Sequence, residues 1–468
     1  MIQPADDNAY TPPSPHTTLL DALSHVSHRD YNQYCENWQA DGELDVANEP
    51  DDGCGIWQAK YTDLHERRLE QLERLKAGDF KSFVHEDPPT YVSYVCKEDP
   101  RHRGSHGCGG LADRMTGMIS TFFYALLTNR AYLAYWEPTN PLPLEEVFER
   151  PHIDWRFNPE EMRTLFDRQN QSMLSYKSIN TLNVKWGAIG RLMFPNGANQ
   201  DFKQLWNASY VEMQSNRGYI VRTFQESDRY PQMLADMGLT KENTFRCLSD
   251  YLFRPTVGSR QFIQAYRQLF QMDSVLSIGL QIRTDDSAMV NPDNDTNTLE
   301  KWDYFFHCAN ELREAKRLPQ HKHVVYFLIT DSVKLRDEFI TLNTDESLAR
   351  RFLGEAFNET TAVITGLPIS HVEAKTVATK YRKDVALDNS HQELLDGVNG
   401  AIIENWLLSY TDYRLISRQG FGKLAAFHSQ SARTTIGLPK VNKHARIDCS
   451  NPHSFITFDT LSTWWSLG

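Results

Sequence analysis

The chain has no basic excess, no long apolar run and little cysteine, and each absence removes a class of function. Its formal net charge is −12. Nucleic acids and anionic membranes reward basic surfaces, so neither is expected as a partner, although a small anion needs only a local basic pocket. No stretch approaches the run of about 20 apolar residues that a membrane helix needs, and the N-terminus lacks an apolar signal core. The chain as given is expected to be soluble, with any membrane attachment made by an anchor outside it. Seven cysteines in 468 residues are too few for a disulfide scaffold. None stands in a C-x-x-C pair, so zinc is not expected. The P-loop pattern is absent, and Gly107-x-Gly109 lacks the third glycine of the dinucleotide fingerprint.

What is present is a globular chain, 40% hydrophobic and 12% aromatic, long enough for two domains and an extension. Residues 1–85 are polar and helical, and are expected to be an N-terminal extension whose proline-rich start (Thr11-Pro-Pro-Ser-Pro) suits a tether. Within it, Leu69, Leu72 and Leu75 form a narrow apolar stripe under a charged face, the mark of a docking helix. Residues 86–255 and 256–468 each read as an α/β domain, with Asp250–Val257 as the crossing. Aromatic and polar residues mix around Trp186, Trp206 and Tyr210, a composition that suits packing more often than a sugar site.

Two stretches carry the chemistry. Val275 to Ile282 is an apolar run of the kind found in buried parallel strands, and it ends in Arg283. Ligands of open α/β sheets sit beyond the carboxyl ends of strands, where an arginine can bind phosphate. The alternative is an ion pair with Asp285 or Asp286. In the other half, strand Tyr91–Cys96 runs into a glycine- and histidine-rich loop, Arg101 to Gly110. A helix follows, with Met115, Met118, Ile119, Phe122, Phe123 and Leu126 on its core face, and then strand Ala131–Trp136. Gly109 and Gly110 let backbone pass close to a ligand, the helix start offers N–H groups to an anion, and Arg114 adds a charge. A tight turn with a salt-bridged arginine would look the same. Asp113 is a candidate N-cap. Asp293-Asn-Asp295 matches the short D-x-D pattern of some metal-dependent sugar-nucleotide enzymes, but a solvated loop explains it better.

Four N-x-S/T tripeptides, at Asn170, Asn207, Asn294 and Asn358, are compatible with the secretory pathway. In an oxidising compartment Cys35 with Cys54 and Cys96 with Cys108 are reasonable pairs, with an odd thiol left over.

Three blocks in order resemble one family. Gly109-Gly-Leu-Ala-Asp-Arg-Met with Phe123-Tyr-Ala-Leu-Leu-Thr-Asn-Arg130, Ile278-Gly-Leu-Gln-Ile-Arg283, and Glu404-Asn-Trp-Leu-Leu-Ser-Tyr-Thr-Asp412 with Phe421-Gly-Lys-Leu-Ala425 resemble the plant xyloglucan-type fucosyltransferases over residues 90–430. Where that family has Ser-Thr before Phe-Gly, this chain has Gln419-Gly420, and where its loop has asparagine this chain has Asp113. The resemblance implies a GT-B-like α/β fold: two Rossmann-like domains facing a cleft, plus the helical N-terminal extension. It also implies inverting transfer of fucose from GDP-fucose to an oligo- or polysaccharide acceptor, with no cofactor and no metal, by a glycoprotein of the secretory pathway, expected in the Golgi lumen; a type II anchor absent from this chain is compatible with that reading. Arg283 would be catalytic, holding the diphosphate with Thr284 beside it. Gly420, Phe421 and Gly422 would line the donor site, Glu404 would face guanine, and Gly109, Gly110 and Arg114 would close over the nucleotide. Homo-oligomers are compatible with this reading. So are another nucleotide sugar, suggested by Gln419-Gly420, and a carbohydrate-binding relative without turnover.

Overall fold

The computed structural model describes residues 10–40, 53–80, 83, 89–97, 108–167, 174–182, 184–372, 390–440 and 447–464. The Asn170 tripeptide and residues 101–107 of the glycine- and histidine-rich loop lie outside the described residues. The chain divides into two compact units. One comprises Glu49–Arg254 with Phe458–Gly468, the other Met1–Asn48 with Pro255–Thr457. Helices α1 (Thr17–Ser24) and α2 (His28–Ala40) belong to the second unit, and α3 (Gln58–Lys76) belongs to the first.

In the first unit four parallel strands, β1 (Tyr91–Cys96), β2 (Ala131–Trp136), β3 (Tyr176–Asn180) and β4 (Tyr210–Gln214), stand in the order β2-β1-β4-β3. Strand β1 is apolar or small throughout and is buried along its whole length, as expected of a strand covered on both faces. Helix α4 (Leu111–Thr128) connects β1 to β2, and its methionine and aromatic stripe is buried. It ends at Asn129, whose left-handed conformation (φ 57°) closes the helix. Leu72 and Leu75 of α3 are buried with Tyr91, Leu133 and Phe166, so the leucine stripe is a docking face. Trp206 and Tyr210 are buried too: Trp206 packs on Tyr124, and the Tyr210 hydroxyl hydrogen-bonds Ser93.

The second unit carries five parallel strands: β5 (Val275–Ile282), β6 (His323–Thr330), β7 (Thr360–Val363), β8 (Tyr413–Ser417) and β9 (Thr435–Leu438). Their order is β9-β8-β5-β6-β7. Helices α5 (Val257–Phe270), α6 (Asp303–Lys316), α7 (Val333–Ile340), α8 (His391–Tyr410) and α9 (Gly420–His428) alternate with them. Counted from β5, the sheet order is 5-4-1-2-3, the doubly wound Rossmann order. Its topological switch lies between β5 and β8, and in such sheets the ligand crevice opens there. Helix α8 begins with a capping box in which the Ser390 hydroxyl and Glu393 carboxylate exchange hydrogen bonds with each other's backbone N–H. Its far end lies close on β5: a Cβ at Gly279 would stand 2.5 Å from Leu408 and 2.9 Å from Thr411.

Three disulfides join described residues: Cys54–Cys247, Cys96–Cys108 and Cys308–Cys449. The Cys96–Cys108 pair is the expected one. The Cys35–Cys54 pairing is not formed, because Cys54 bonds a partner 193 residues away and Cys35 is the free thiol.

Candidate functional site

Parallel pairing of β5 with both β6 and β8 gathers residues distant in sequence at the carboxyl edge of the second unit's sheet. Ile282 stands opposite Thr330, so Arg283 and Thr284 leave β5 beside Asp331, which follows β6. One guanidinium nitrogen of Arg283 donates to Asp331 and the other to Asp286, in the first turn of the short helix Asp286–Val290. The backbone N–H of Arg283 donates to the Ser417 hydroxyl at the end of β8 (3.0 Å), and that of Thr284 donates to Asp331 (2.6 Å). Asp331 is only 7% exposed, against 18% for Arg283 and 21% for Asp286. Burial raises the Asp331 carboxyl, opposed by Arg283 and the Thr284 N–H. Asp285, the other expected partner, caps the short helix through Ser287.

Across the switch point, the chain leaves β8 and enters α9 within three residues. Gln419 is the N-cap residue but does not cap with its side chain. Gly420, Phe421 and Gly422 make the first turn, whose N–H groups point out of the helix start toward the carboxyl edge. Gly422 is required by close approach, since a Cβ there would stand 2.7 Å from both Gln281 and Ile416. Asn405 of α8 donates to the Phe421 carbonyl (2.8 Å), which ties α9 to α8. Arg283, Thr284 and the α9 start thus meet at one sheet edge.

Glu404, also on α8, points elsewhere. It accepts a hydrogen bond from Thr365, in the loop after β7, at 2.5 Å. Burial pushes its carboxyl up to about 7, opposed by the Thr365 hydroxyl and by Arg336. It is thus a carboxyl poised to change charge near neutral pH.

In the first unit, Gly109 is left-handed (φ 88°), and a Cβ there would collide with Asp113, so glycine is needed. Gly110 is the N-cap of α4. Asp113 is therefore not the cap; it sits in the first turn, where its charge complements the helix dipole. Arg114 is corrected more sharply. It is completely buried, donates to the Gly109 carbonyl, the Asn140 carbonyl and side chain, and Cys96 Sγ, and stacks on Trp136. Its guanidinium fixes the loop rather than reaching out to a nucleotide.

The D-x-D stretch divides. Asp293 is exposed, whereas Asp295 is buried and accepts from Asn297 and from the Ser332 hydroxyl. Among the described residues no group of three or more His, Cys, Asp or Glu is arranged to hold a metal ion. The sequence reading gave Asp331 no role. The signal was present, because an acidic residue directly after an apolar run mirrors Arg283 after β5.

No protein-family model matches the chain, and no curated protein matches it. Solved structures do. A mutant of Arabidopsis thaliana FUT1 in complex with GDP matches 81% of this chain and 78% of its own, at 16% identity and a TM-score of 0.51. NodZ alpha-1,6-fucosyltransferase soaked with GDP-fucose matches 75% and 95%, at 14% identity and a TM-score of 0.39. Fucosyltransferase NodZ from Bradyrhizobium matches 72% and 92%, at 14% identity and 0.37. The likeness to the Arabidopsis structure, together with the two Rossmann-like sheets, establishes a GT-B-type α/β fold.

Proposed function

We propose that this protein is a glycosyltransferase that moves fucose from GDP-fucose to a hydroxyl of a glycan acceptor, with inversion and without a metal. The observation that carries the reading is the convergence of Arg283 and the α9 N-terminus at the switch point of the second unit's sheet. In the reaction the bond from fucose C1 to the β-phosphate oxygen breaks as the acceptor hydroxyl oxygen bonds C1 from the opposite face; GDP leaves with the electron pair, and the hydroxyl proton is released to solvent. The main catalytic task is to stabilise that developing negative charge. An arginine fork and helix N–H groups can do this, each aimed at the leaving diphosphate.

Arg283 rests on two carboxylates, and the diphosphate would take the place of the more exposed one, Asp286. Asp331, held also by the Thr284 N–H, would stay and orient the fork. The fold shared with a GDP-bound fucosyltransferase supports the donor class. Three disulfides and the exposed Asn207, Asn294 and Asn358 support an oxidising Golgi lumen as the site of action. The occupied fork also favours a second reading, a glycan-binding relative without turnover.

Incubation of the purified chain with GDP-fucose, a panel of oligosaccharides and a chelator tests the proposal. Fucosylated product of inverted anomeric configuration supports it. Glycan binding without product from any acceptor supports the second reading.

A further inference from the structure

The Cys96–Cys108 disulfide carries a charged donor on one of its sulfurs. Cys96 ends β1, and Cys108 stands just ahead of Gly110, the N-cap of α4, so the bond straps together the two ends of the connection from strand to helix, 12 positions apart. Arg114, in the first turns of α4, donates to Cys96 Sγ at 3.1 Å, and Asn140 Nδ2 stands 3.6 Å from the same sulfur. The guanidinium is held in that position. It is completely buried, lies over the Trp136 ring (4.8 Å), and donates to the Gly109 carbonyl (2.8 Å), the Asn140 carbonyl (2.7 Å) and the Asn140 side-chain oxygen (2.8 Å). In the Cys308–Cys449 disulfide, by comparison, Cys449 Sγ lies 3.7 Å from the neutral Ile447 carbonyl.

A disulfide sulfur is a weak acceptor, whereas a thiolate in the same place would meet the guanidinium as an opposite charge. The three oxygens that hold Arg114 are neutral, so a thiolate at Cys96 would add a full negative charge to its shell. Other charges nearby are turned to one another: Lys97 lies 4.0 Å from Glu212 of β4, and Asp113 acts electrostatically on Arg217. A cation beside a cysteine favours the thiolate, and a protein disulfide whose reduced form is stabilised in this way is a strong oxidant.

We infer that Cys96–Cys108 is an exchangeable disulfide, the target of a dithiol reductant, with Cys96 as the leaving thiolate and Arg114 as the residue that stabilises it. A thiolate of the dithiol attacks Cys108 Sγ, the bond between the two protein sulfurs breaks, and Cys96 departs with the electron pair. The second thiol of the reductant, as thiolate, then attacks its partner sulfur in the mixed disulfide and releases Cys108. The dithiol is oxidised to a disulfide and the protein gains two electrons; one proton goes to Cys108 and one to solvent. Both sulfurs are buried, so access sets the rate of exchange while the thiolate sets its extent. Arg114 keeps its bonds to Gly109 and Asn140 after reduction, so the strap opens and the start of α4 stays in place. The connection from β1 to α4 thereby responds to redox state, independently of the donor reading above.

The test equilibrates the folded chain with graded ratios of reduced to oxidised dithiothreitol, alkylates the free thiols and reads each cysteine pair by peptide mass spectrometry. Cys96–Cys108 should be half reduced at a ratio about tenfold or more below that needed for Cys54–Cys247 and Cys308–Cys449. Arg114→Gln, which keeps a donor and removes the charge, should raise that ratio about tenfold. If Arg114→Gln fails to fold, a chain carrying Cys35→Ser and Cys108→Ser leaves Cys96 as a free thiol beside Arg114. The ultraviolet absorbance of its thiolate should then titrate about one pH unit or more below the ordinary thiol value of about 8.5. Reduction of all three pairs at one ratio, an unchanged ratio in Arg114→Gln, or a Cys96 thiol that titrates at or above the ordinary value would overturn the inference.

Discussion

Each unit places an arginine beyond its first sheet strand, and the two arginines have opposite fates. In the first unit Arg114 is completely buried among carbonyls, a sulfur and a tryptophan ring. In the second, Arg283 keeps 18% of its side chain exposed and rests on two carboxylates. Buried donors to neutral acceptors are framework, because breaking them strands polar groups away from water. A part-exposed fork on exchangeable anions is what a site needs if it is to receive another anion. A glycine-rich loop with an arginine therefore means different things in the two units, and exposure tells them apart.

The same conservative change at both positions would break or sharpen that contrast. Arg283→Lys should lower transfer about a hundredfold, since an ammonium cannot present a bidentate fork to the diphosphate. Its unfolding free energy should stay within about 1 kcal/mol of the unmutated chain, measured by urea titration. Arg114→Lys should cost about 2–3 kcal/mol in the same titration, because several of its buried acceptors lose their donor. If instead Arg114→Lys unfolds normally and selectively loses nucleotide affinity, the framework assignment is wrong.

A smaller effect should come from Asp286→Asn. Removing the competing anion should tighten GDP binding about threefold to tenfold, read by calorimetry, whereas Asp331→Asn should weaken it. Weaker binding in both would mean that Asp286 contacts the ligand side rather than competing with it.

The smallest effect concerns Glu404. Its carboxyl lies raised to about 7, so at pH 6 it is mostly neutral, and the guanine contact that the family resemblance implies for it would be weakened there. GDP affinity should rise severalfold from pH 6 to pH 8, and Glu404→Gln should remove that part of the rise. For stability the sign is opposite: the folded pKa lies above the unfolded one. This group's contribution is thus greatest below the unfolded value and falls as pH rises toward about 7.

Much of this was legible in the sequence where the signal is local. Strands β1, β2 and β5 stand at the residues expected, because unbroken apolar runs bounded by turn residues specify buried parallel strands. The core face of α4 and the position of Arg283 at a strand end follow from the same periodicities. What depends on tertiary pairing was not legible. Asp331 reaches Arg283 only because β5 and β6 pair in register, and Thr18 reaches Ile364 only because α1 covers the edge strand. Cys54 passes over its sequence neighbour Cys35 for Cys247 for the same kind of reason. Arg114 was misread because sequence shows charge and neighbours but not burial.

The central claim, that the second unit's sheet edge binds a guanosine diphosphate through Arg283, is tested most directly by calorimetric titration of the unmutated chain and Arg283→Lys. GDP, UDP and ADP would each be titrated with and without divalent metal. The expected result is binding of GDP in preference to the other two, indifferent to metal and weakened about a hundredfold by the substitution. Equal affinity of the two proteins for GDP, or a preference for UDP or ADP, would contradict it.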